Sequence, residues 1–180
     1  MSTRNLPNEL TPTTSIAVDL PSGRSVDLPC CKPSFVPWTG ESVFTWGGKP
    51  LLDWQGTPVF AELLVLRMLQ SHNWQGVWVE CYPTLKFLGA MPLDWKLTGA
   101  QVPVADDRAD LINRISRRVG APGGCFDVHA WREDQMLFCE AKRQKKDRLL
   151  PTQRKWIEAA LSEGVTCDQL LVVEWSIQPD

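Results

Sequence analysis

The stretch that decides the fold is GGCFDVHAWREDQMLFCEAK, residues 123–142. Two mostly apolar runs, 125–131 and 135–142, flank a short polar segment at 132–134. Apolar runs of this length, separated by a few polar residues, are typical of two antiparallel strands joined by a tight turn. The stretch therefore predicts a β-hairpin, and the two glycines before it mark the place where its first strand begins.

The elements on either side of this hairpin predict a small α/β domain with a mixed sheet. Thr57 is a good N-cap and Pro58 a favoured first helical residue, so a helix is predicted to begin there. The long apolar run at 169–177 is predicted to be a central strand of the sheet. In chain order, the expected elements are a helix at about 58–71, a strand at 76–82, a helix at about 106–119, strands at 125–131 and 135–142, a helix at 151–164 and a strand at 169–177.

The first 50 residues are rich in Pro, Ser, Thr and Gly and show no helical periodicity. They predict an irregular N-terminal extension that contains a β-hairpin at 15–29, around the turn-forming residues 21–24. Residues 51–180 are predicted to form one domain, with an insertion at about 83–120. A chain of 180 residues is long enough for one such domain with a substantial core.

Charge is distributed unevenly along the chain. The formal net charge of −2 indicates no particular partner. Between residues 141 and 156, however, seven basic residues stand against one acidic residue. Such a segment attracts polyanions, although a solvated basic loop has the same composition. The residues expected to contact the phosphates of such a polyanion are Arg143, Lys145, Lys146, Arg148 and Arg154.

The six cysteines do not have the pattern of a disulfide framework or of a zinc site. No CxxC pair occurs, and the first ten residues lack the basic and then apolar pattern of a signal peptide. No run approaches the ~18 apolar residues that a membrane-spanning helix needs. These observations predict a cytoplasmic protein that has reduced thiols and no membrane partner.

Three charged residues interrupt the apolar strands of the central hairpin. Asp127 lies in the first strand and Glu140 in the second, so strand pairing is expected to bring the two carboxylates together at an exposed rim. Strand alternation places Lys142 on the same face as Glu140. Mg²⁺ prefers one or two carboxylates, completed by water and phosphate oxygens, and the backbone carbonyl of Ala141 is a further candidate ligand. The alternative is a structural Glu–Lys pair at a sheet edge.

The wider pattern resembles a known nuclease family. Gly-Gly-x-Phe comes directly before Asp127, twelve residues separate Asp127 from Glu140-Ala-Lys142, and Asp147-Arg148-Leu149 and Gln153-x-x-Trp-Ile follow. This pattern is similar to the VRR-NUC branch of the PD-(D/E)XK nucleases, over about two-thirds of the chain, from Thr57 to Ile177. One departure is Phe126, which stands where the family signature has Pro.

The resemblance implies a fold and a set of site residues. The fold is a restriction-endonuclease-like core of helix, three strands, helix and strand. Asp127 and Glu140 would bind Mg²⁺ or Mn²⁺, and Lys142 would be catalytic. Gln153 would help to order the site, and Glu62 on the first helix would add a carboxylate. An ordinary surface role for Gln153 and a half-buried salt bridge for Glu62 remain alternatives, as does a catalytic or a packing role for His129.

The function expected from these residues is metal-dependent endonucleolytic cleavage of DNA, with a preference for branched, flapped or junction substrates. One alternative is a catalytically inactive DNA-binding or assembly protein with a nuclease fold, and another is a hydrolase of small phosphate substrates. Paired cuts need two sites, so a homodimer is expected. The apolar residues of the N-terminal hairpin are candidates for its contact surface, namely Ile16, Val18, Leu20, Val26 and Leu28.

Overall fold

A computed structural model describes residues 5–41, 43, 45, 48–81, 84–92, 99–120 and 123–179. Parts of the predicted N-terminal extension (1–4, 42, 44, 46 and 47), of the predicted insertion (83 and 93–98) and of the strand predicted at 76–82 (residue 82) lie outside these ranges. The elements are β1 (Thr14–Asp19), β2 (Ser25–Cys31), β3 (Ser34–Phe35), β4 (Leu52–Trp54), β5 (Thr57–Val59), α1 (Ala61–Gln70), β6 (Gln75–Glu80), β7 (Lys86–Leu88), α2 (Asp106–Val119), β8 (Val128–Arg132), β9 (Gln135–Arg143), α3 (Pro151–Ser162) and β10 (Leu170–Ile177).

The protein is mixed α/β, as predicted. Within the described residues, the main sheet has eight strands, in the order β1-β2-β10-β9-β8-β6-β7, with the short β3 also paired to β10. β6, β8 and β9 are antiparallel neighbours, whereas β10 runs parallel to both β9 and β2. The prediction that 169–177 forms a central strand is confirmed, because β10 is paired on both of its edges.

Helices cover both faces of this sheet. α1 packs on one face, and α2 and α3 pack on the other. Along β9 the side chains alternate, so that Leu137 and Cys139 lie in the α1 cluster while Phe138 lies in the cluster with α3. Glu140 continues this alternation, and its side chain therefore points towards α3.

The first helix begins later than predicted. Residues Thr57–Val59 form β5, which pairs antiparallel with β4, and α1 begins at Ala61. The two strands are joined by Gln55 and Gly56, both with positive φ (52° and 82°), and the Gly56 N–H donates to Asp53 Oδ1 at 2.7 Å. Two residues with positive φ are what a tight hairpin turn requires. The assignment of Thr57 as N-cap and Pro58 as first helical residue was therefore wrong.

The limits of the second predicted helix were accurate. α2 spans Asp106–Val119, as predicted, and Gly120 ends it with φ 72°.

The predicted start of the first hairpin strand was wrong. β8 begins at Val128 rather than at residue 125, so Asp127 lies just before the strand and not within it. The chain reaches it through Gly123 and Gly124, which both have positive φ (95° and 84°).

The N-terminal hairpin is part of the main sheet. β1 and β2 pair over Thr14–Asp19 and Ser25–Cys31, and β2 lies beside β10, so strand pairing crosses the predicted boundary at residue 50. Val18, Leu20 and Leu28 are buried in the cluster that contains α3. These three side chains are therefore not available for the dimer contact suggested by the sequence.

The expectation of reduced thiols is wrong for one pair of cysteines. Cys81, just after β6, is joined to Cys125, two residues before Asp127, with the Cα atoms 6.4 Å apart. Cys30 and Cys31 are buried thiols at the end of β2. Among the described residues, none of the helices has the length and apolar character needed to cross a membrane.

Candidate active site

The charged residues of the central hairpin meet at its open end, away from the turn. Val128 lies opposite Cys139 in the β8–β9 register, so Asp127, the next residue outward, lies beside Glu140. The first turn of α3 approaches this point from one face of the sheet, and the first turn of α1 approaches it from the other.

Asp127 is held by the strands on both sides of it. Its backbone carbonyl accepts a hydrogen bond from Val79 N of β6 at 2.7 Å, and its carboxylate Oδ2 accepts one from Ala141 N of β9 at 2.8 Å. The N–H and C=O of one strand residue point towards the same edge. The Ala141 carbonyl, predicted as a metal ligand, therefore lies on the edge that faces Asp127.

Glu140 is deeply buried. It is 1% exposed, so the expectation of a rim position is wrong for this residue. Its Oε1 accepts hydrogen bonds from Lys142 Nζ at 2.7 Å and from Gln153 Nε2 at 2.5 Å. Its Oε2 is buried and has no hydrogen-bond partner among the described residues.

Gln153 is fixed from both ends of its amide. Its Oε1 accepts from Leu150 N at the start of α3 (2.9 Å), which directs Nε2 towards Glu140. The start of α3 lies close to the chain before Asp127, since a Cβ at Gly124 would be 2.5 Å from the Thr152 carbonyl oxygen. The structure thus brings Gln153, Glu140 and Lys142 together, although the pattern alone left a surface role for Gln153 open.

Glu62 approaches from α1 and is paired with a lysine that the sequence analysis missed. Glu62 is 9% exposed, and its Oε1 lies 2.5 Å from Lys49 Nζ. The Lys49 ammonium also lies over the rings of Phe60 and Trp78, at 5.5 and 5.7 Å from their centroids. Lys49 stands in a segment without periodicity, so no local signal separated it from a surface lysine.

Burial controls the protonation of the two carboxylates. It raises the pKa of Asp127 well above its usual range, and the neighbouring charges of Glu140 and Glu62 raise this pKa further. Burial also raises the pKa of Glu140, an effect opposed by the Lys142 ammonium and by the hydrogen bond from Gln153. A cation placed between these carboxylates would therefore stabilise their ionised forms.

The donor set fits a hard divalent cation. Two carboxylates and a backbone carbonyl supply oxygen ligands only, and the unpartnered Glu140 Oε2 leaves a buried acceptor to satisfy. Within the described residues, no group of three or more His, Cys, Asp or Glu side chains has the arrangement of a metal site. Oxygen ligands of this kind suit Mg²⁺, which keeps several water ligands, better than Zn²⁺, whose structural sites use four protein ligands.

The basic segment forms an ordered turn after β9. Asp147 Oδ2 accepts from Arg143 N at 3.0 Å, and Lys145 has a φ of 62°. Two clefts flank this turn. The α1-side cleft, of about 340 Å³, is lined by Lys49, Glu62, Ala141, Arg143, Lys146 and Asp147 among others. The α3-side cleft, of about 220 Å³, is lined by Lys32, Lys142, Arg143, Lys145, Asp147 and Glu174, together with Gln144.

Of the predicted DNA contacts, Arg143, Lys145 and Lys146 line these clefts. Arg148 and Arg154 are exposed and line neither of them.

His129 belongs to the core. It is fully buried, and its ring stacks on Phe138 with the centroids 4.4 Å apart. Neither ring nitrogen has a hydrogen-bond partner among the described residues, and burial lowers the pKa of His129 to about 3. The geometry agrees with the packing role rather than with the catalytic one.

Comparisons with protein-family models, with curated proteins and with solved structures found no match for this chain. The resemblance to the VRR-NUC nucleases therefore rests on the sequence motif, and the functional argument rests on the geometry around Asp127, Glu140 and Lys142.

Proposed function

We propose that this protein is a metal-dependent endonuclease that hydrolyses phosphodiester bonds in DNA. The observation that carries the proposal is the environment of Glu140, a buried carboxylate held by Lys142 and Gln153 and placed beside Asp127. A buried carboxylate pair is costly unless a cation balances it, so such a cluster is typical of a functional site.

Asp127 and Glu140, with the Ala141 carbonyl, would hold Mg²⁺ or Mn²⁺. Such an ion would polarise the phosphate and lower the pKa of a water molecule bound to it. Asp127 is oriented for this role by the Ala141 N–H, and Glu140 by Gln153.

Lys142 would stabilise the charge that develops on the phosphate. Its side chain is 14% exposed and its ammonium is 2.7 Å from Glu140, so it is at once close to the ligand set and accessible from the α3-side cleft. Positive charge fixed before the reaction is an effective way to stabilise such a transition state. Glu62, across the sheet, would add a further carboxylate or hold Lys49.

The topology supports the restriction-endonuclease-like interpretation. The elements α1, β6, β8, β9, α3 and β10 follow the order of helix, three strands, helix and strand. β7 and α2 lie between β6 and β8, in the part of the chain that the resemblance assigns to an insertion at about 83–120. β1, β2 and β3 add three strands beyond β10.

DNA is the proposed substrate because the site opens between two clefts with basic walls. Further positive charge lies on four exposed residues of the basic segment, which favours a long polyanion over a small phosphate ester. These residues are Lys145, Lys146, Arg148 and Arg154. We extend the proposal to a preference for branched, flapped or junction DNA.

The test is an assay with linear, nicked, flapped, four-way and covalently closed circular DNA, in the presence of Mg²⁺, Mn²⁺ or EDTA. We expect cleavage with either metal, none with EDTA, and cutting of the closed circle, since an endonuclease needs no end. Absence of cleavage on every substrate with both metals would refute the enzymatic proposal.

A second candidate is an inactive nuclease fold that binds DNA. It is favoured by the ion pairs of Lys142 with Glu140 and of Lys49 with Glu62, which neutralise two carboxylates without any metal. In that case the protein would bind DNA but cut none of the substrates, and Mg²⁺ would not raise its melting temperature.

A homodimer is also proposed, because paired cuts need two sites. Since Val18, Leu20 and Leu28 are buried within the chain's own domain, the contact would use the outer edge of β1 (Thr14–Asp19), which has no strand partner among the described residues. Light scattering should then give twice the 20.3 kDa mass of the chain. A strict monomer would remove the dimer from the proposal and leave the nuclease part intact.

A further inference from the structure

We propose that a DNA strand crosses the end of β9 from one face of the sheet to the other, with Lys49 and Lys32 binding its phosphates on opposite sides of the bond that is cut. This inference rests on the proposed nuclease function and specifies how its substrate is held. Both lysines come from the first 50 residues, outside the segment that resembles the nuclease family.

Lys49 marks the path on the α1 face. Its side chain is 38% exposed, its ammonium is anchored by Glu62, and it lines the α1-side cleft with Arg143 and Lys146. Anchoring by a carboxylate and by two aromatic rings holds the ammonium in place without removing it from solvent. Lys49 is therefore a pre-positioned cation next to the ligand set.

Lys32 marks the path on the opposite face. It follows β2, its side chain is 51% exposed, and its ammonium is 3.2 Å from Glu174 Oε2. Glu174 of β10 lies opposite Lys142 of β9 in the strand register, so Lys32 is brought to the α3-side cleft beside the catalytic lysine.

The two clefts lie on either side of one turn. Arg143 and Asp147 line both of them, and the turn that these residues close separates one cleft from the other. Glu62 and Ala141 line the α1-side cleft, whereas Lys142 lines the α3-side cleft. A strand that passes from one cleft to the other therefore passes Ala141, one of the candidate metal ligands, and Lys142, which is paired with Glu140.

Charge favours a polyanion in both clefts. Among the described residues that line them, the α1-side cleft has three cationic and two acidic side chains, and the α3-side cleft has four cationic and two acidic ones. Each cleft thus keeps a positive balance after its salt bridges are counted. Phosphates on both sides of the cut are present only when the bond is internal, so such a path would favour endonucleolytic over terminal cleavage.

The first measurement is fluorescence anisotropy with a labelled single-stranded oligonucleotide in EDTA, at salt concentrations from about 50 to 200 mM. Lys49→Met and Lys32→Met should each weaken binding about three- to tenfold and lower the slope of log K against log salt by roughly 0.7 to 1. Lys49→Arg and Lys32→Arg should restore both.

The matched control is Arg24→Met, which removes one positive charge from the same N-terminal segment. Arg24 is exposed in the β1–β2 turn, at the other end of the seven-residue β2 from Lys32. It should bind as the wild type does. If both lysine variants also bind as the wild type does, while the wild type still binds and cuts DNA, the inference is wrong and the proposed function stands.

The second measurement starts from the wild type and modifies the substrate. Once the position of the cut is mapped, neutral methylphosphonate linkages are placed one or two phosphates to either side of it. The wild type should cut both modified substrates at least several-fold more slowly. Lys49→Met should become insensitive to the neutral linkage on one side only, and Lys32→Met to the linkage on the other side. The crossing path would be overturned if the wild type were sensitive to the neutral linkage on one side only. It would also be overturned if both variants lost their sensitivity to the linkage on the same side. A wild type that cuts no DNA refutes the proposed function instead.

Discussion

Two nearby positions of the β8–β9 hairpin bury polar side chains in opposite ways. Two residues along the chain from Asp127, His129 lies opposite Phe138, fully buried among aromatic rings and without a hydrogen-bond partner among the described residues. At the open end, Glu140 is equally buried but receives hydrogen bonds from Lys142 and Gln153. The comparison shows that burial of a polar group does not by itself indicate function, since a histidine can lose its charge and behave as a packing residue.

The largest expected difference between the two positions concerns cleavage. Glu140→Gln and Asp127→Asn should each lower the cleavage rate by about 10³-fold or more, because each removes a charged metal ligand. The loss of such a ligand should lower the rate more than the loss of a single hydrogen-bond donor from an active site does. His129→Phe is the matched substitution at the packing position and should cut at nearly the wild-type rate. Initial rates with Mg²⁺ measure all three. Wild-type cleavage by the Glu140 or Asp127 variant would show that the site is elsewhere.

His129 should contribute to the loss of stability in acid. The folded-state pKa of His129, about 3, is below its unfolded value of 6.5, so the folded protein binds fewer protons between these values. His129 therefore contributes stability that is present above pH 6.5 and lost as pH falls towards 3, by about 1.4 kcal/mol per pH unit.

Urea unfolding at several pH values in this window tests that contribution. His129→Phe should flatten the pH dependence. A slope that is the same in His129→Phe and in the wild type would contradict the prediction.

Gln153→Leu should separate positioning from metal ligation at the open end. It removes the donor to Glu140 and the acceptor for Leu150 N, so the apparent affinity for Mg²⁺ should fall about 10- to 100-fold while saturating Mg²⁺ restores much of the rate. The control is Gln169→Leu, because Gln169 caps Thr166 N in the same way (2.9 Å) without contacting Glu140. Equal Mg²⁺ titration curves for the wild type and Gln153→Leu would show that Gln153 only caps α3.

The smallest expected effect is on the stability of the metal-free protein. Because burial raises the folded-state pKa of Asp127, its ionised form is disfavoured, and stability is lost as pH rises through that pKa. Asp127→Asn should therefore unfold at a temperature about 2–4 °C higher in EDTA at about pH 8, with a smaller gain at about pH 4. Mg²⁺ should raise the melting temperature of the wild type but not that of the variant. A lower melting temperature for Asp127→Asn in EDTA would mean that the carboxylate stabilises the fold.

Sequence reasoning succeeded where the signal was local. The limits of α2 follow from Asp106 and Gly120, and the hairpin follows from two apolar runs and a polar turn. The resemblance also named Gln153, which contacts Glu140, thirteen residues away in the chain, and so joins α3 to β9. At Thr57 it failed because two signals compete, and the left-handed turn at Gln55 and Gly56 overrides the N-cap preference.

Non-local features escaped prediction for a physical reason. Cys81 and Cys125 are 44 residues apart, and nothing in their spacing identifies them as partners. The same holds for the pairing of β2 with β10, and for the contact of Lys49 with Glu62, since both depend on how the chain folds back across the whole sheet.

The position of β2 has a consequence for anyone who shortens this chain to the segment that resembles the nuclease family. A fragment that starts after residue 50 would lose the strand that covers β10, whose Leu170, Leu171, Val172 and Val173 are buried. The uncovered strand would present free backbone groups beside an apolar surface, the arrangement that leads proteins to aggregate edge to edge. Insolubility of such a fragment would then reflect the point at which the chain was truncated. Shortened versions that remain soluble should begin before Thr14.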